Sequence, residues 1–144
     1  MKVGLFFGSF NPVHVGHLII AESALNETEL DQVWMLVSPQ NPLKAKANLI
    51  GEYDRYRMVE LALGNNQKIL PSNFEFTLPK PSYTVDTLKR LKEVYPSYSF
   101  SLIMGEDNLD HLHKWKDYET ILHGYPIWVY PRIGSDGSGF DRYP

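Results

Sequence analysis

Two short runs without a charged residue, Val3-Gly-Leu-Phe-Phe7 and Val33-Trp-Met-Leu-Val37, constrain this chain more than any other feature. A strand with one face in water alternates apolar and polar side chains. A strand apolar throughout is covered on both faces, as in a parallel sheet clothed by helices. Between the two runs, Leu18-Ile-Ile-Ala-Glu-Ser-Ala-Leu25 reads as a helix ending near Asn26, and Glu27 to Asp31 as a polar connection. Strand, helix and parallel strand form the repeating unit of an α/β fold.

The rest of the chain continues the alternation. A long polar loop over Ser38 to Gly51 has the length of a binding loop or lid. It leads to a helix over 52–63 whose apolar side comprises Tyr56, Val59, Leu61, Ala62 and Leu63. Lys68 to Leu70 reads as a short strand, and the alternation of Asn73 to Leu78 as another at an edge, stopped by Pro79. Ser82 is the expected N-cap of a helix running to Tyr95, ended by Pro96. Strands follow at Tyr98–Met104 and Ile127–Tyr130. Between them lie a turn at Gly105–Asp107, a helical turn at Asn108–His113 and a helix from Asp117 to Leu122. The expected fold class is α/β, a parallel sheet with helices on both faces. One domain is expected over 1–133, with a Gly/Ser-rich flexible tail at 134–144.

Composition removes several kinds of chemistry. With no cysteine, disulfides, thiolate zinc sites and cysteine nucleophiles are excluded. A net charge of −3 gives no global basic field for a nucleic acid polymer. No apolar stretch reaches a membrane span. Lys2 and the run to Phe10 imitate a signal peptide, but Asn11, Pro12, His14 and His17 interrupt it. A soluble, cytoplasmic protein is expected, with homo-oligomerisation left open.

The chemistry concentrates after the first strand, in Gly8-Ser-Phe-Asn-Pro-Val-His14-Val-Gly16-His17. Asn11-Pro12 marks a turn. A glycine at Gly8 lets backbone approach a phosphate. A helix N-terminus adds unpaired N–H groups and about half a positive charge. His14 and His17, three apart, face one side and can donate to phosphate oxygens. A His-x-x-His metal pair, with a third ligand from His111, His113 or His123, is the competing chemistry. It lacks the glutamate of the zinc-protease pattern.

These residues resemble the signature of the HxGH nucleotidyltransferases, a Rossmann-like superfamily. Within it the chain looks like the bacterial nicotinate-mononucleotide adenylyltransferases. The further matches are Val33-Trp34, Pro39-Gln-Asn-Pro42-Leu-Lys44, Arg57-Met58 with Leu61-Ala62, Pro81-Ser-Tyr-Thr-Val-Asp-Thr-Leu88, and Gly105-Glu-Asp107 with Lys114-Trp115. The resemblance covers residues 1 to about 134. It implies transfer of the adenylyl group of ATP to nicotinate mononucleotide, with Mg²⁺ accompanying ATP. It implies that His14, His17 and Lys44 are catalytic. Contacts to ATP would come from Gly8, Ser9, Phe10, His14, Gly16 and His17, with Gly105 and Asp107 on the other side. Ser9, Lys44, Thr84 and Trp115 would hold nicotinate mononucleotide. Each assignment has a plainer alternative: Lys44 a solvated side chain, Trp115 a core aromatic, Asp107 a helix cap. Other acceptors within the superfamily, nicotinamide mononucleotide or phosphopantetheine, and a non-catalytic nucleotide-binding module are the competing functions.

Three departures from the resemblance stand out. Phe7 occupies a position often glycine, and Asn11 one often aspartate, where an amide can make local turn bonds without the charge. The family also continues into a Ser-Ser-Thr-x-x-Arg-like segment that binds ATP phosphates, and this chain reaches Pro144 without it. Slow or absent turnover by the 144-residue chain is the expectation that follows.

Overall fold

The computed structural model describes residues 1–39, 50–79 and 83–131. Five strands, β1 (Lys2–Gly8), β2 (Gln32–Val37), β3 (Ile69–Ser72), β4 (Ser99–Gly105) and β5 (Ile127–Tyr130), form one sheet in the order β3-β2-β1-β4-β5. Every pairing is parallel. The helices are α1 (Val15–Glu27), α2 (Glu52–Leu63), α3 (Thr84–Val94), α4 (Glu106–Asp110) and α5 (Tyr118–Gly124).

The apolar runs are double-faced because the sheet has two cores. Val3 and Leu5 of β1, Leu36 of β2, and Leu102 and Met104 of β4 face Val85, Leu88 and Leu91 of α3 and Ile121 of α5. Phe6, Val33, Met35, Val37 and Ile103 face Ala21 and Ala24 of α1 and Val59 of α2. Pro71 is tolerated in β3 because that strand lies at the sheet edge.

Strand order reverses beside β1: the chain steps to β2 and β3 on one side and to β4 and β5 on the other. The crevice at the C-terminal ends of β1 and β4 is where such sheets bind ligands. The N-termini of α1, α3 and α4 meet this edge, since α1 and α4 follow β1 and β4, and α3 follows β3 and leads into β4.

Three local expectations are corrected. Phe74–Thr77 is a 3-10 helix, not a strand. At about 120° per residue, three successive side chains diverge. Phe74 enters the α3 core, Phe76 packs on Tyr53 and Tyr56 of α2, and Glu75 is buried between the layers. A strand would have put both phenylalanines on one face.

The N-cap of α3 is Tyr83, not Ser82, because the Asp86 and Thr87 N–H groups both donate to the Tyr83 carbonyl at 3.1 Å. Ser82 itself lies outside the described residues. On α2, Leu61 and Ala62 are exposed. The inward stripe is Arg55, Val59 and Leu63, spaced by four, with Tyr56 beside it.

Candidate active site

The opening turn is built around Phe10. Its φ of 48° is left-handed, unusual for a residue with a side chain. This carries its ring back into the core, edge-on to Phe6 (centroids 5.5 Å) and to the His17 imidazole (5.0 Å). The ring lies over Gly8, where a Cβ would come within 2.9 Å of it. The space that Gly8 leaves open is therefore filled by Phe10, where the sequence suggested an approach for phosphate. The Asn11–Pro12 peptide is cis. The Asn11 side chain reaches beyond its own turn, its Oδ1 accepting from Ile50 N–H at 2.9 Å.

His14 is the N-cap of α1, so Pro12 stands outside the helix. The Gly16 N–H donates to His14 Nδ1 at 3.1 Å, and the His14 N–H donates to His17 Nδ1 at 3.0 Å. This reciprocal capping box satisfies two of the orphan donors of a helix start. It also sets the tautomer. An Nδ1 that accepts carries no proton, so in the neutral form both imidazoles carry it on Nε2. The two rings stack at 3.7 Å between centroids. Gly16 makes room for the His14 ring, because a Cβ there would sit 2.8 Å from His14 Cε1. The arrangement puts two imidazole N–H groups at the positive end of a helix, which can bind an anion.

Across the switch point, Gly105 ends β4 and caps α4. The Asp107 carboxylate folds back over it, with Oδ1 2.7 Å from the position of a Gly105 Cβ. Thr84 and Trp115 lie in the opposite layer. Lys116, next to Trp115, pairs with Asp86 at 3.2 Å and sits 4.8 Å from the centre of the Tyr83 ring. These contacts tie the Trp115 segment to the first turn of α3, which carries Thr84. The indole of Trp115 is half-buried and packs against the α3 core. Lys44 lies outside the described residues, as does the 134–144 tail. Among the described residues no group of three histidine or acidic side chains forms a metal cage.

Two buried polar residues escaped the sequence reading. Arg55 is 1% exposed, and burial lowers its pKa while nearby Glu52 raises it. Its guanidinium donates to the carbonyls of Ser9 (2.6 Å), Ser38 (2.7 Å), Pro39 (3.1 Å) and Ile50 (2.6 Å). Glu75 accepts from Thr87 Oγ1 at 2.5 Å. Desolvation pushes its carboxyl pKa up, against hydrogen bonds from Thr87 and Ser38 that pull it down. Ser38 ties the Arg55 cluster to β1: its N–H donates to the Gly8 carbonyl at 2.9 Å and its carbonyl accepts from Arg55. Arg55 was detectable only as the residue four before Val59 on the inward stripe.

The cytidylyltransferase-like family pattern matches residues 5–139. The probable nicotinate-nucleotide adenylyltransferase of Flavobacterium psychrophilum is 57% identical over 136 residues, which are 94% of this chain and 70% of that protein. The chain belongs to the nicotinate-nucleotide adenylyltransferase family. A second member, from Cytophaga hutchinsonii, is 57% identical over 96% of this chain and 72% of its own length. The fold is shared with the nicotinic acid mononucleotide adenylyltransferase of Plasmodium falciparum solved with NaAD, at a TM-score of 0.85 and 21% identity. That match covers 99% of this chain and 71% of the other. Membership accounts for the HxGH turn, the parallel sheet and the helix N-termini gathered at one edge.

Proposed function

We propose that this chain transfers the adenylyl group of ATP to nicotinate mononucleotide, giving deamido-NAD and pyrophosphate in NAD biosynthesis. The observation that carries the reading is the stacked pair His14–His17, each Nδ1 held by a main-chain N–H and each proton left on Nε2. The choice of acceptor is supported by relatives at 57% identity named for this reaction.

In this proposal the triphosphate lies along the turn from Gly8 to His17, with Gly105 and Asp107 on its nucleoside side. A phosphate oxygen of the acceptor attacks the α-phosphorus. The bond from that phosphorus to the bridging oxygen breaks, and its electron pair departs on pyrophosphate. No protein nucleophile is needed. The Nε2–H groups of His14 and His17 donate to phosphate oxygens as charge builds on them. Lys44 adds a cation on the acceptor side, and Ser9 a polar contact.

Trp115 stacks on the pyridine ring, which is flat and cationic. Main-chain N–H groups at Thr84 receive the nicotinate carboxylate. Mg²⁺ would accompany the ATP phosphates. Bound there, it would neutralise phosphate charge. ATP and nicotinate mononucleotide are the small-molecule partners in this reading, and no helix of the described residues is long and apolar enough to cross a membrane.

A panel of acceptors tests this, with pyrophosphate release as the readout. ATP with nicotinate mononucleotide is expected to give the highest kcat/KM, above nicotinamide mononucleotide. Release only with phosphopantetheine, or only with CTP, overturns the reading. Binding of both substrates without release would make the chain a nucleotide-binding module.

A further inference from the structure

Arg55 carries an inference of its own. A buried guanidinium commonly finds a carboxylate, which neutralises it. The four hydrogen bonds described above all go instead to main-chain carbonyls, from three separate segments. Ser9 belongs to the turn after β1, Ser38 and Pro39 follow β2, and Ile50 precedes α2. Without a buried five-donor cation, nothing would draw these oxygens to one point.

The Ser9 bond has a directional consequence. In a trans peptide the carbonyl and the following N–H point in opposite directions. With the Ser9 carbonyl turned to Arg55, the Phe10 N–H points away from it. Arg55 therefore orients a main-chain donor within the turn that precedes His14. The Asn11 bond to Ile50 N–H closes the same assembly from the other side.

We propose, resting on the adenylyl-transfer reading above, that Arg55 is a positioning residue: it holds the triphosphate turn in register with the ends of β2 and α2 without touching substrate. A lysine keeps the charge but has three donors on one point, so it cannot bridge four carbonyls spread around a planar fork. A misplacement of about 1 Å can cost about 100-fold in rate.

The test compares the parent chain with Arg55→Lys and Arg55→Met. Three readouts are taken: thermal melting, calorimetric affinity for ATP, and steady-state kinetics with both substrates varied. Arg55→Lys is expected to stay folded, to bind ATP about tenfold more weakly, and to lose kcat by a factor of about 10–100. The KM for nicotinate mononucleotide should rise less than the KM for ATP, because Thr84 and Trp115 lie in the other layer of the sheet and only the Ser9 contact belongs to the turn that Arg55 holds. General loosening of the fold would move both KM values together.

Parent-like ATP affinity and kcat in a folded Arg55→Lys variant overturn the proposal. So does a parallel rise in both KM values. If Arg55→Met does not fold, the lysine variant decides. If the parent chain makes deamido-NAD too slowly for kinetics, the ATP affinities decide the role of Arg55 by themselves, whereas product formed only with another acceptor defeats the adenylyl-transfer reading and leaves the Arg55 comparison standing.

Discussion

At the scale of single residues, His14 has two separable duties. Its Nδ1 caps α1, and its Nε2 faces the proposed chemistry. Asparagine is among the best N-caps and places an oxygen where Nδ1 stood. His14→Asn is therefore expected to melt within about 1 kcal/mol of the parent, while kcat falls by the equivalent of about 2.7–4 kcal/mol of barrier, the scale for loss of one preorganised donor. Unchanged kcat would remove His14 from the mechanism. A large stability loss would make it mainly a structural cap. The histidines were legible in the sequence because their chemistry belongs to side chains at a fixed spacing. Arg55 was not, because its partners are carbonyl oxygens, which every residue carries and which only the folded turn brings together.

At the scale of elements, the 3-10 helix Phe74–Thr77 is fastened to α3 through the Glu75 carboxyl, which accepts from Thr87. Folding raises the pKa of this carboxyl above its unfolded value, with desolvation as the larger cause. The neutral form is thus favoured in the native state. The sign follows: this contribution to stability is fully present below the unfolded pKa and declines as pH rises through the folded one. Glu75→Gln removes the ionisation and keeps a group able to bond Thr87 and Ser38. It is expected to melt higher than the parent at pH 8, with the difference shrinking as pH is lowered toward 4. Melting curves across that range check it, and a difference that grows on acidification would contradict the account. The alternating run Asn73–Leu78 read as a strand because six residues cannot distinguish a period of two from a single 3-10 turn. Burial of Glu75 and the two-way split of Phe74 and Phe76 made the choice, and both are tertiary.

At the scale of the whole molecule, the double-faced apolar strands specified a covered parallel sheet, and the sheet order puts β1 and β4 side by side at the reversal. The proposed site draws on groups from distant parts of the chain. The His14–His17 donors come from one layer, Asp107 from α4, and Thr84 with Trp115 from the other layer. Strand identity was legible because Val33 to Val37 can be nothing else, whereas strand order was not, since no residue names its neighbour across a ladder. The central claim is that this edge moves an adenylyl group from ATP to nicotinate mononucleotide. ATP labelled at its α-phosphorus tests it most directly. With nicotinate mononucleotide present, the label should appear in deamido-NAD while unlabelled pyrophosphate is released. Label that stays in ATP, or is transferred only to an acceptor without a pyridine ring, would contradict the account.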